Sequence, residues 1–216
     1  MTAQITTAIS QSNFERVRDQ IGALLKVEID NQALLLGTPA VPSPPTPAIP
    51  NPDIECSIYV ERNKPVDRSE GNVINVLTIQ MGYENTTPIS QRNTAQFAID
   101  VYTNAPEENN GQLCEPAKYK LSRLIGIIWN ILQHPTYVRL QFTNKQIVES
   151  RSVTQVLFSD KDTMHEGINQ VMARVILTVK IHEETGQIQP DAATSYETTV
   201  KLENTEKGYK FISTNT

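Results

Sequence analysis

The stretch "VMARVILTVKIHEE", residues 171–184, limits what this chain can fold into more than any other. Val171, Ala173, Val175, Leu177, Val179 and Ile181 alternate with Met172, Arg174, Ile176, Thr178, Lys180 and His182. A period of two held this long is a β-strand, since successive side chains of a strand point to opposite faces. One set is wholly apolar and the other mostly polar, so one face of its sheet is covered and the other is wetter. A fully buried parallel sheet shows no such contrast, so the pattern predicts an antiparallel sheet with helices on one face.

Other segments repeat the signal. In "DIECSIYVER", Ile54, Cys56, Ile58 and Val60 alternate with Glu55, Ser57, Tyr59 and Glu61. "NVINVLTIQMGYEN" is apolar on parts of both faces and reads as a more central strand. "TAQFAIDVYTNA" sets Phe97, Ile99 and Val101 on a core face, and "TYVRLQF" does the same with Val138, Leu140 and Phe142. "QIVESRSVTQVLFSD" reads as a long, mixed strand.

Two segments carry the helical period instead. From Ser12, Phe14, Val17, Ile21, Leu24 and Leu25 form one stripe. Ser12 with Glu15 three residues later makes a capping box, the stripe weakens after Lys26, and Gly37 with Pro39 ends the element. "AKYKLSRLIGIIWNILQH" places Leu121, Leu124, Ile125, Ile128, Ile131 and Leu132 on a wide apolar face, with Ile127 and Trp129 extending it into the core. Lys118, Lys120 and Arg123 sit near its start, where the helix dipole does not favour cations.

Between the first helix and the first strand lies "TPAVPSPPTPAIPNPD", holding seven of the chain's 13 prolines. Proline has no backbone donor, so this segment is expected to be an unpaired, extended strap. About fourteen residues at about 3.1 Å each span roughly 40 Å, enough to reach a neighbouring subunit. The expected organisation is a helical segment over 1–37, the strap over 38–53, an α+β core over 54–185 and a polar C-terminal arm over 186–216. "TTVKLENTEKGYKFIS" in that arm suits a hairpin turning at "NTEKG". The fold class is therefore α+β: a mostly antiparallel sheet with two main helices packed on one face, plus the proline-rich strap and the arm.

No pattern of reactive side chains emerges. His134, His165 and His182 share no metal-ligand spacing. Cys56 falls on the apolar side of a strand and Cys114 in a polar loop, outside any paired redox or metal motif. "SDKDTMHEG", with Asp160, Asp162 and Glu166, lacks the spacing and central glycine of a calcium loop. There is no phosphate-binding glycine loop and no nucleophile elbow. The expectation is a non-enzyme with no cofactor and no metal. A net charge of −5 argues against a dedicated duplex-DNA binder, and the first residues carry no basic, apolar leader pattern.

The order of these elements, with "AQFAIDVYTNAP" followed by "AKYKLSRLIGIIWNILQHP" and then "VMARVILTVKIHEE", resembles that of phage tail-terminator proteins of the minor tail protein U-like family. The resemblance covers roughly Ser12 to Thr185 and is one of pattern, as the family has no catalytic motif. It implies a structural virion protein, assembled in the host cytoplasm. Such a protein forms a homo-oligomeric ring, hexameric by analogy, that caps the tail, stops its polymerisation and offers a docking surface to the neck. The implied partners are other copies of the chain, tail tube and sheath subunits, and head connector proteins, with genome DNA passing through unbound and no membrane. Pro42, Pro44, Pro45, Pro47, Asp160, Asp162, His165, Tyr196 and Tyr209 are the expected interface residues. The alternatives are another neck or head-completion protein, a non-viral adaptor presenting "PSPPTP" as a ligand, or an enzyme using the 159–166 loop.

Overall fold

The structure, a computed structural model, describes residues 8, 10–38, 41–42, 45–46, 48–84, 90–106, 115–144, 147–159, 163–165, 168–184, 195–201 and 208–214. In chain order the elements are α1 (Asn13–Leu35), β1 (Val41–Pro42), β2 (Pro45–Thr46), β3 (Cys56–Val60), β4 (Asn72–Glu84), β5 (Ser90–Pro106), α2 (Glu115–Gln133), β6 (Val148–Phe158), β7 (Thr163–His165), β8 (Ile168–Glu184), β9 (Ser195–Lys201) and β10 (Gly208–Thr214). The chain divides into two units, Met1–Thr185 and Gly186–Thr216.

The first unit is α+β, built on one sheet in the order β3-β4-β5-β8-β6, with β7 paired to β8. The strictly alternating strand is interior: β8 pairs antiparallel with β5 over its whole length and with β6 on its other side. The sheet is antiparallel except at one edge, where β3 runs parallel to β4. A parallel pair needs a return path, which residues 61–71 provide. This path is fixed by Asn75, whose side chain accepts from the Arg62 N–H (3.1 Å) and donates to the Arg62 carbonyl (2.9 Å). It enters β4 through Gly71 at φ +75°, a left-handed conformation that glycine adopts without strain.

Cross-strand partners share a face, so the register separates the two sides of the sheet. Ile74, Val76, Phe97, Ile99, Val101, Ala173, Val175, Leu177 and Val179 join one apolar cluster with Val17, Ile21, Leu24 and Leu25 of α1 and Leu121, Leu124, Ile128 and Leu132 of α2. The other side carries Asn75, Asp100 and Arg174 in one cross-strand row and Leu77, Ala98 and Ile176 in the next.

At the start of α1, the Ser12 N–H donates to the Glu15 carboxylate at 2.9 Å, the return half of the expected capping box. Ser12 holds this carboxyl below the usual range. The next free donors, the N–H groups of Asn13 and Phe14, are taken by Glu183 of β8 at 2.9 and 2.7 Å. The buried stripe runs past Lys26 to Ile29 and Ala33, longer than the sequence pattern suggested. At the other end, the Asn51 N–H donates to Ala33 O (2.8 Å) and its side chain to Leu36 O (3.3 Å).

Two sequence expectations need correction. Residues 135–142 are not a strand: Pro135–Tyr137 is a 3₁₀ turn, followed by turns in which Leu140 and Gln141 take φ of 49° and 64°. Arg151 fixes this bend by donating to the carbonyls of Tyr137 (2.5 Å) and His134 (2.8 Å), and Leu140 is buried as a plug under it. The proline-rich segment is not an unpaired strap. Val41 pairs with Thr46 and Pro42 with Pro45, and Thr38 and Ile49 exchange both backbone hydrogen bonds at 2.9 and 3.0 Å. Its two ends are therefore neighbours, and the segment doubles back instead of spanning roughly 40 Å.

The second unit contains β9 and β10, paired antiparallel in unbroken register from Ser195↔Thr214 to Lys201↔Gly208. The connection at "NTEKG" lies mostly outside the described residues.

Candidate partner-binding surface

The two sheet edges differ. β6, at one end, is interrupted by register shifts at Val148/Ser150 and Val153/Gln155 and carries Glu149 and Arg151. Bulges and charges of this kind blunt an edge against further pairing. β3, at the other end, reads Cys-Ser-Ile-Tyr-Val, with no charge, proline or bulge. Among the described residues no strand lies on its outer side.

A groove of about 660 Å³ runs beside β3, lined by residues 55–59 and closed by Lys26, Glu70, Asn72 and Lys120. Its walls are braced. Lys120 pairs with Asp53 at 2.8 Å, and Lys26 with Asp30 at 2.6 Å. Asn72 donates to the carbonyls of Asp53 (3.2 Å) and Glu55 (3.1 Å). Arg62 grips Glu70 through two nitrogens, at 2.6 and 2.5 Å, while its guanidinium lies 4.5 Å from the centre of the Tyr59 ring. This forked pair holds the Glu70 carboxyl down at about 2. In the same wall, burial pushes the Cys56 thiol up to about 12, so it stays protonated and unreactive at neutral pH.

A second hollow, about 510 Å³, lies between the helices and is lined by Glu28, Gln32, Arg123, Asn130, His134 and Tyr137 among others. The Tyr137 hydroxyl donates to Glu28, which raises its pKa. The His134 ring lies 5.9 Å from the Tyr137 ring, centre to centre, and its Nδ1 accepts from the Thr136 N–H at 3.3 Å. The three side chains do not form a nucleophile, base and orienter in sequence.

Along the outside of α2, Tyr119 is 73% and Trp129 is 47% exposed, so Trp129 is a surface side chain and not the core residue its helical position suggested. Gly126 lies between them, and a Cβ built there meets nothing within 4 Å. Packing within the subunit therefore does not require a glycine.

Five of the nine expected interface residues fall among the described residues. Pro42 and Pro45 face each other in the small ladder. Pro44, Pro47, Asp160 and Asp162 lie outside the described residues. His165 pairs with Ile168 across the β7–β8 turn. Tyr196 and Tyr209 belong to the second unit, paired with Ser213 and Val200. The β3 groove was missed, although the absence of charge between Glu55 and Glu61 signals an unguarded edge.

Among the described residues no group of three or more His, Cys, Asp or Glu is placed to hold a metal ion. Among the described residues no helix is long and apolar enough to cross a membrane. No protein-family model and no curated protein matches this chain.

Proposed function

We propose that this chain is a structural virion protein that assembles into a ring, caps the phage tail and presents its exposed face to the neck. The observation that carries the reading is the asymmetry of the first unit. One sheet face is apolar and shares its core with α1 and α2, while the other is mixed, with Gln96, Thr178, Lys180 and the Asp100–Arg174 pair beside the apolar row Leu77, Ala98 and Ile176. In the proposed ring both helices cover the outer side and the mixed face turns towards a channel. A subunit charge of −5 makes the assembled ring acidic, which favours DNA transit without adhesion. The resemblance in element order supports the same reading. Ring interfaces of this kind draw on burial and shape complementarity and need no cofactor.

The adaptor alternative loses support from the doubled-back proline segment, because ligand grooves for proline-rich peptides take an extended chain. Size-exclusion chromatography with in-line mass measurement tests the ring: a closed oligomer is expected, and a monomer at all concentrations sinks the reading. Electron microscopy of particles labelled on this subunit then separates a tail cap from a portal-side connector.

A further inference from the structure

We propose that the open edge of β3 receives the C-terminal hairpin, β9–β10, of a second copy of this chain as an added pair of strands. The proposal rests on the ring reading and names the contact that would close it.

Two incomplete structures motivate it. The first is the β3 edge, whose five residues offer backbone donors and acceptors with none of the usual guards. The groove beside it follows five consecutive residues, 55–59, about 16 Å of strand. Residues 55–59 share that lining with Gly71, Asn72 and Asn104, so the hollow reaches from β3 round to the ends of β4 and β5. The Arg62–Glu70 and Lys120–Asp53 pairs border it.

The second is the hairpin itself. β9 and β10 are seven residues each and pair only with each other among the described residues. Two strands alone are marginal in water, and a third strand is what stabilises such a ribbon. Each hairpin therefore gains from an edge, and β3 is a free one. β10 is the better-suited outer strand. Its sequence, Gly-Tyr-Lys-Phe-Ile-Ser-Thr, holds one charge, Lys210, against a strand flanked by Glu55 and Glu61. β9 carries both Glu197 and Lys201, so it offers no net positive charge to those flanks. The contact joins different patches of two copies. Such a head-to-tail interface closes into a ring when repeated about an axis, which a self-complementary contact does not do.

Hydrogen exchange read by mass spectrometry on the full-length protein, with light scattering on the same samples, tests this. Samples above and below the assembly concentration are compared. The expected result is that the amides of 56–60 exchange about tenfold slower or more in the oligomer than in the monomer. The β9–β10 amides should slow with them, and a chain ending at Thr185 should lose the effect at 56–60. An oligomer with unchanged exchange at 56–60 overturns the docking proposal and leaves the ring reading standing. Slow exchange at 56–60 already present in the monomer overturns docking between copies. Absence of any oligomer overturns the ring reading and this contact together.

Discussion

Arg174 and Asp100 face each other across β8 and β5, joined by two hydrogen bonds, Nε to Oδ1 at 2.6 Å and Nη2 to Oδ2 at 2.8 Å. The two ends of this fork are unequally buried: the Asp100 side chain is 4% exposed and that of Arg174 is 37% exposed. Removing the cation strands a carboxylate in the sheet, whereas removing the anion leaves a guanidinium that can still reach water. Arg174→Leu should therefore lower stability by about 2–3 kcal/mol, and Asp100→Asn by about 1 kcal/mol. Urea denaturation of both variants checks the order; equal losses would contradict it.

Glu70 supplies a pH prediction. Its carboxyl is held at about 2, below the ordinary 4.5, chiefly by Arg62. A carboxylate depressed in the folded state contributes its full stabilisation above pH 4.5 and loses it as the pH falls towards about 2. The return path 61–71 should loosen over that window, and Glu70→Gln should loosen it already at pH 7. Limited proteolysis at 62–68, followed against pH, checks both statements.

Two glycines should respond in opposite directions. A Cβ on Gly37 would sit 2.0 Å from the Ile49 carbonyl oxygen, where the proline-rich ladder closes against the end of α1. Gly37→Ala should destabilise by about 1–3 kcal/mol through that overlap. Gly126 meets nothing, so Gly126→Ala should raise stability by about 0.5–1 kcal/mol from helix propensity alone. Thermal melts of the two single variants test the pair.

Leu177 is fully buried where β8 meets Phe97 of β5 and Val153 of β6. Leu177→Asp places an unpaired charge there and should cost at least about 4 kcal/mol, enough to abolish soluble expression. Normal yield with an unshifted melting temperature would remove this position from the core.

Alternation and capping carried most of the fold. The period of two located β3, β5 and β8, and the Ser12–Glu15 pair marked the start of α1. What alternation does not encode is direction, so nothing in "CSIYV" announced that β3 would pair in parallel. Nor does it separate a strand from a turn whose apolar residues fall two apart in the sequence. Val138, Leu140 and Phe142 keep the strand period, yet Leu140 and Gln141 have positive φ because Arg151, several residues on, ties the carbonyls of the bend. The candidate surface was harder still. Arg62–Glu70, eight residues apart, and Asp100–Arg174, 74 apart, are pairings made by the fold, and neither spacing is a pattern that announces them. The proline-rich segment misled in another way, because the missing donors of its prolines do not prevent Thr38 and Ile49 from closing its base.

The bond from Glu183 to the first turn of α1 has a consequence for how the chain is made. α1 leaves the ribosome first, but the carboxylate that meets the N–H groups of Asn13 and Phe14 follows about 170 residues later. The same late segment, β8, is the one that β5 and β6 both need as a neighbour. At bacterial-scale elongation of about 5–20 residues per second, the nascent chain waits roughly ten to thirty seconds with its first helix unclasped and its sheet unclosed. Through that interval the apolar stripe from Val17 to Ala33 has no finished core to enter. Newly made subunits are thus most vulnerable to aggregation during translation, and a chaperone that holds the first helix should raise the yield of soluble protein.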